Sequence, residues 1–241
     1  MGFELIILTV AGFLTGFSKF SVGGMGLLIL PVLMLAFPGT AALGIIVPLF
    51  MMTDALTMWP YRKGADWRFI SRLVPMMLLG ILAGSVLLAD IDVQLFSLLL
   101  GGLILLALML GFVFDRMGAG WLRKPSVVAV MGFSTGIVGL LANAAGPLVS
   151  LFLLEQKLSK HSYVSTRCWM ATLTNLAKVP VLMYLGILTQ DSLEVSLQAV
   201  PGLLLGGLIG YCFLGVLSAA QFKWIIRGLA AVAATKLLLF S

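Results

Sequence analysis

Charge is scarce in this sequence. Only 10% of its 241 residues are Asp, Glu, Lys or Arg, whereas a soluble domain needs about a quarter to cover its surface. That shortage excludes an ordinary water-soluble globule. Histidine occurs once and cysteine twice. Cys168 and Cys212 both lie in apolar runs, which excludes a disulfide framework or a thiolate metal site. No carboxylate pair on one helix, His/Cys cluster or Ser–His constellation offers catalytic groups, so neither an enzyme nor a resident metal or cofactor is expected. A Walker-type phosphate loop is also missing, which argues against an ATP-driven pump. The first residues, Met1-Gly2-Phe3-Glu4, carry no basic region and lead into no cleavage site, so the first apolar run reads as a retained membrane segment.

Apolar residues are abundant: they make up 61% of the chain, with a mean hydropathy of +1.15. The expected fold class is an all-α integral membrane protein. Apolar runs fall at 3–35, 40–60, 70–88, 93–114, 125–154, 168–187, 195–217 and 224–240. Six have ordinary spanning length, near 20 residues. The first and fifth are longer. As single straight helices they would reach about 45–50 Å, against a hydrocarbon core of about 30 Å. Both contain glycine-rich interruptions.

Basic residues collect in four loops: Arg62, Lys63, Arg68 and Arg72; Arg116, Arg123 and Lys124; Lys157, Lys160 and Arg167; Lys223 and Arg227. The loops around Asp90/Asp92 and Asp191/Glu194 have acids and no Lys or Arg. If positive loops stay inside, all four basic loops face one side, and this explains the net charge of +6 without nucleic acid. The condition is met only if 125–154 starts and ends on the same side, as a re-entrant hairpin. The run at 3–35 is read as a hairpin by likeness to it. Irregular backbone at such a tip is tolerated only where protein covers it or it lines an aqueous cavity.

The two halves also resemble each other. Gly12-Phe13-Leu14-Thr15-Gly16 matches Gly132-Phe133-Ser134-Thr135-Gly136, and Gly26 meets Gly146, 120 residues apart. Pro75, Gly80 and Gly84 match Pro201, Gly206 and Gly210 at 126, and Asp54 falls opposite Asn175. The basic loop at 61–72 corresponds to an acidic one at 188–194, and the acidic loop at 89–92 to a basic one at 218–227. The expected architecture is therefore two inverted repeats, residues 1–120 and 121–241. Each holds one re-entrant or broken helical hairpin and three transmembrane helices, as in many secondary transporters.

The hairpin tips supply candidate chemistry. The first includes Ser18, Lys19, Ser21, Gly23 and Gly24; the second includes Asn143, Ala144 and Gly146. Glycine leaves amide N–H groups uncovered, and a helix starting there presents free donors and a positive dipole end to an anion. Close helix packing is the competing reading of the glycines. Lys19 and Lys178 lie away from the loops, whereas Lys236 is close enough to the C-terminus to snorkel. An uncompensated ammonium in hydrocarbon costs at least about 2.5–3.5 kcal/mol, so Lys19 and Lys178 need an anion, a partner or water. Asp54 is the carboxylate inside a span, open to an ion pair or to proton coupling. Asn175, Thr53, Thr57 and Thr174 add neutral hydrogen-bonding groups, and His161 reads as solvated in its loop.

Over essentially its whole length the chain resembles the sulfite exporter (TauE/SafE) family. The resemblance rests on Gly16-Phe17-Ser18-Lys19 with the tip that follows and Pro31, on Tyr61-Arg62-Lys63-Gly64-Ala65-Asp66-Trp67-Arg68, and on Pro75 with Gly80 and Gly84. Gly146-Pro147, Thr166, Asn175 with Lys178, and Tyr184-Leu185-Gly186 extend it. Phe20, Met25, Asn143 and Ala145 depart from common family residues. The resemblance implies a multi-pass protein of the bacterial cytoplasmic membrane that moves sulfite, an organosulfonate or a related small anion. Expected partners are that anion, the bilayer, a coupling proton or cation, and a second copy in a homodimer. Alternating access around a midplane site is the leading expectation; an anion channel and a non-transporting assembly factor are the alternatives.

Overall fold

The computed structural model describes residues 2–20, 26–116, 125–143, 158–213 and 219–239, together with Ala145, Gly146, Val149 and Leu153. Among the described residues every regular element is a helix: α1 (Gly2–Phe20), α2 (Gly26–Leu33), α3 (Ala41–Tyr61), α4 (Trp67–Ala89), α5 (Val93–Arg116), α6 (Pro125–Leu141), α7 (Lys160–Tyr184), α8 (Gln190–Gln198), α9 (Val200–Phe213) and α10 (Ala219–Leu239). α1, α3 and α4 are each long and apolar enough to cross a membrane, and α8 with α9 makes a fourth such unit, bent by 47°. Mid-helix side chains that face outward are apolar, among them Leu78, Leu82 and Val86 of α4 and Leu204, Leu205 and Leu208 of α9. An apolar exterior over an apolar core is what lipid as solvent demands. The chain is a multi-pass membrane protein.

Helix positions follow the apolar runs, but several basic residues expected in loops lie in the N-terminal parts of helices: Arg68 and Arg72 in α4, Lys160 and Arg167 in α7, and Lys223 and Arg227 in α10. Two further differences stand out. The run expected as one span at 195–217 is broken at Ala199. The helix before the break, α8, begins five residues ahead of that run; its sequence QDSLEVSLQ is polar, carries its own Thr189/Ser192 capping box and keeps Asp191 and Glu194 exposed. Pro201 then cannot donate to the helix, and its ring crowds the carbonyl four residues back. The second difference lies in the first hairpin. Its rising arm, α1, has 19 residues, a full span by length.

Contacts sort the helix ends into two groups. At one end the turn after α3 docks on the first turns of α7. Ser165 Oγ donates to the Tyr61 carbonyl at 2.6 Å, the Asp66 N–H to Thr166 Oγ1 at 2.8 Å, and Trp169 Nε1 to the Arg62 carbonyl at 3.2 Å. The Trp67 and Trp169 rings lie 4.8 Å apart. Gly64 takes a left-handed φ of +88°, and a Cβ there would stand 2.8 Å from His161 Nδ1. His161, expected to be merely solvated, is exposed but closes over this turn. At the opposite end the start of α3 meets the turn after α7, where a Cβ on Gly44 would be 2.2 Å from the Ile187 carbonyl. Ser196 Oγ donates to the Ile45 carbonyl at 2.9 Å, and Gly39 lies against Val93.

Two helix pairs pack backbone to backbone through glycine. In α1 against α9, a Cβ on Gly12 would sit 2.1 Å from the Ala199 carbonyl oxygen, on Gly16 2.0 Å from that of Leu203, and on Gly206 2.0 Å from that of Phe13. In α6 against α4, a Cβ on Gly136 would sit 2.1 Å from the Met77 carbonyl oxygen and on Gly80 2.0 Å from that of Phe133; Gly132 faces the Leu73 carbonyl. Residue numbers rise together along both pairs, so each pair is parallel. The contacts also correspond: Gly12, Phe13 and Gly16 become Gly132, Phe133 and Gly136, while Leu73, Met77 and Gly80 become Ala199, Leu203 and Gly206. The repeat offsets of 120 and 126 reappear as one packing arrangement used twice, with the halves exchanged. These matched glycines therefore serve packing, which in a membrane depends on close approach of small residues.

Candidate functional site

α3 and α7 pack against each other and carry the polar groups that the apolar runs made conspicuous. Asp54 lies seven residues before Tyr61, about 10 Å along α3, and Asn175 lies ten residues beyond Ser165, about 15 Å along α7. The two side chains meet, Asn175 Nδ2 donating to Asp54 Oδ2 at 2.6 Å. Lys19, in the last turn of α1, forms an ion pair with the other oxygen, Asp54 Oδ1. Its ammonium also stands 5.9 Å from the centroid of the Phe50 ring. Phe50 was not singled out as a site residue, although it lies one turn before Asp54 on the same face of α3.

Lys178 follows Asn175 by one turn of α7. Its Nζ donates to Asn143 Oδ1 at 2.6 Å and to Asn175 Oδ1 at 3.2 Å. At 1% exposure it is among the most buried side chains described, and among the described residues no carboxylate reaches it. Asn143 comes from the turn after α6 and adopts a left-handed φ of 52°, a conformation that Asn tolerates better than most residues. The ammonium fixes the amide orientation, because only the oxygen of Asn143 can accept from it. Asn143 Nδ2 therefore points elsewhere, and it is buried without a partner among the described residues. A buried donor left unmatched costs about 1–3 kcal/mol.

The result is one continuous polar chain: Lys19, Asp54, Asn175, Lys178, Asn143. It joins the end of α1 to the end of α6 across α3 and α7. The tips approach each other too, since a Cβ on Gly26, the first residue of α2, would lie 3.7 Å from the Asn143 carbonyl oxygen. Ser18 is half-buried near Lys19, and Gly146 is exposed. Ser21, Gly23, Gly24 and Ala144 lie outside the described residues. The threonines turn back to their own helices: Thr53 Oγ1 donates to the Phe50 carbonyl, Thr57 to that of Thr53, and Thr174 to that of Met170. Lys236 is exposed near the end of α10. Among the described residues no group of three or more His, Cys, Asp or Glu comes together to hold a metal.

The arrangement offers charged and hydrogen-bonding groups that can bind charge. Two ammonium groups, one carboxylate and two amides meet where the ends of α1 and α6 reach α3 and α7. A comparison with protein families matches residues 8–237 to the sulfite exporter TauE/SafE family. No curated protein and no solved structure matches. With the match running through every helix described above and through each member of the polar chain, the protein belongs to the sulfite exporter TauE/SafE family of membrane transporters.

Proposed function

We propose that the chain is a secondary transporter of a small oxyanion, sulfite or an organosulfonate, working by alternating access around Lys178. The observation that carries this reading is the Lys178 ammonium, buried at 1% exposure and, among the described residues, held by neutral amide oxygens. A structural lysine at that depth is expected to sit on a carboxylate. Asp54 is close by but is engaged with Lys19 and Asn175. An anion entering between the tips would give Lys178 its counter-charge and Asn143 Nδ2 its acceptor.

Alternating access needs two halves that can exchange roles. The glycine contacts support this, since α1–α9 and α6–α4 are the same packing with the halves swapped. The Asp54–Asn175 hydrogen bond does so as well, because residues equivalent in the two halves touch each other, as groups on a two-fold axis would. Both hairpins are read as re-entrant on the same grounds. α6 begins beside the start of α4, and α7 begins at that end also, through its contacts with 61–66. The middle of α1, at Thr9 and Gly12, lies beside the start of α9, so α1 begins toward that end, and α3 begins at that end too, through Gly44 and Ile45. Lys19 at the end of α1 and Asn143 after α6 then meet side chains part-way along α3 and α7.

The test is counterflow in proteoliposomes. Preloaded sulfite or methanesulfonate should drive saturable uptake of the labelled anion, and Lys178→Gln should abolish it while the protein remains folded. Electrical currents without saturable exchange would identify a channel. A well-folded Lys178→Gln protein with unchanged exchange would remove the assignment.

A further inference from the structure

We infer that Asp54 sets the charge class of the cargo, so that the site admits a singly charged oxyanion and discriminates against a doubly charged one of the same shape. This rests on the transport site proposed above. Three charged residues lie in the polar chain: Lys19, Asp54 and Lys178. The tip segments 21–25 and 144–154 contain no charged residue at all. Both Asp54 oxygens are occupied, one by Lys19 and one by Asn175 Nδ2. The Lys19 and Asp54 charges cancel, and a single positive charge is left on Lys178. The other polar groups beside it, Asn143 and Asn175, are neutral.

A monoanion on Lys178 brings the enclosed site to zero. A dianion leaves one negative charge uncompensated in a low-dielectric interior and places it close to the Asp54 carboxylate, and both effects disfavour it. The dianion cannot gain by taking Lys19 for itself. Asp54, at 3% side-chain exposure, would then be a buried carboxylate without its cation. Asp54 is thus a specificity-determining residue through the cation it neutralises, and the neutral donor of Asn143 adds hydrogen bonding without adding charge.

Methanesulfonate and sulfate give a direct comparison, since both are compact tetrahedral sulfur oxyanions and at pH 6 they differ by one charge. Each would be titrated into the purified full-length protein in detergent by calorimetry, at pH 6 and constant ionic strength. Wild type should bind methanesulfonate tighter by about tenfold or more. Asp54→Asn raises the site charge by one and should shift the preference toward sulfate by a similar factor. The double variant Lys19→Gln/Asp54→Asn restores the original sum and should restore the methanesulfonate preference. Equal or tighter sulfate binding by wild type, a result that needs no variant to fold, would overturn the inference. If both anions bind equally and Lys178→Gln abolishes both, the transport site stands and only the charge rule falls. If neither binds to wild type, both readings fall together.

Discussion

Replacing Gly16 or Gly136 by alanine tests the packing from which the polar site is hung. A Cβ at Gly16 would lie 2.0 Å from the Leu203 carbonyl oxygen and 2.7 Å from the Gly207 nitrogen; at Gly136 the distances are 2.1 Å to Met77 and 2.8 Å to Ile81. Helix–helix carbon–oxygen contacts normally stand at about 3.3–3.6 Å, so either methyl is too close by about 1.3 Å. The obstructing atoms are backbone in a partner helix, and no side chain can rotate away. Overpacking of a well-fitted interior costs about 1–3 kcal/mol, and a rigid backbone obstacle belongs at the upper end. For a chain of this size each kcal/mol lowers the melting temperature by about 2–4 °C, giving a loss of roughly 4–12 °C for either variant. Gly102 and Gly228, where a Cβ would meet nothing within 4 Å, serve as controls. Alanine there should be neutral or slightly stabilising, because glycine in a helix costs about 1 kcal/mol relative to alanine. Thermal unfolding in detergent, followed by fluorescence-detected size exclusion, reads all four. Unchanged stability for Gly16→Ala, or equal damage from Gly102→Ala, would refute the reasoning. Unequal losses at Gly16 and Gly136 would count against the exchange of halves.

The polar chain yields further predictions. Lys19→Gln and Asp54→Asn should each destabilise, and the double variant should lose less than the sum, with a coupling of roughly 0.5–3 kcal/mol in a double-mutant cycle; additive losses would mean the pair is not engaged. Asn143→Ala removes an acceptor of Lys178 together with the unmatched donor, so anion binding should weaken more than thermal stability, and calorimetry beside a melt separates the two. His161→Ala should loosen the turn at Gly64 and leave anion exchange unchanged within about twofold, as counterflow rates would show.

Much of this was legible in the sequence, and the parts that were not share a cause. Helix positions followed from apolar run lengths because lipid imposes a length on each crossing. Lys19, Asp54 and Lys178 stood out because charge inside such runs is expensive. Repeat register set Asp54 opposite Asn175, and the two side chains are hydrogen-bonded. Pairing was not legible. Nothing in the order of residues says that Asp54 joins Lys19 rather than Lys178, since that depends on where α1 ends relative to α3. The spacing of Gly12 with Gly16, and of Gly202, Gly206 and Gly210, marks a close-packing face without naming its partner. The break at Ala199 was partly signalled by Pro201. The equivalent Pro75 sits inside an unbroken α4, so proline alone does not decide it; the polar stretch before Ala199 does.

The proposed transport site requires α6 and α7 to begin at one end of the bundle, with Asn143 meeting Lys178 part-way along α7. Single cysteines at Ser126 and His161, in a background with Cys168 and Cys212 replaced, can be labelled by an impermeant thiol reagent on intact cells and on inverted vesicles, with Gln190→Cys as the marker of the other face. Ser126→Cys and His161→Cys should react from the same side and Gln190→Cys from the opposite side. Labelling of Ser126→Cys and His161→Cys from different sides would mean that the segment crosses the membrane, and would contradict the account.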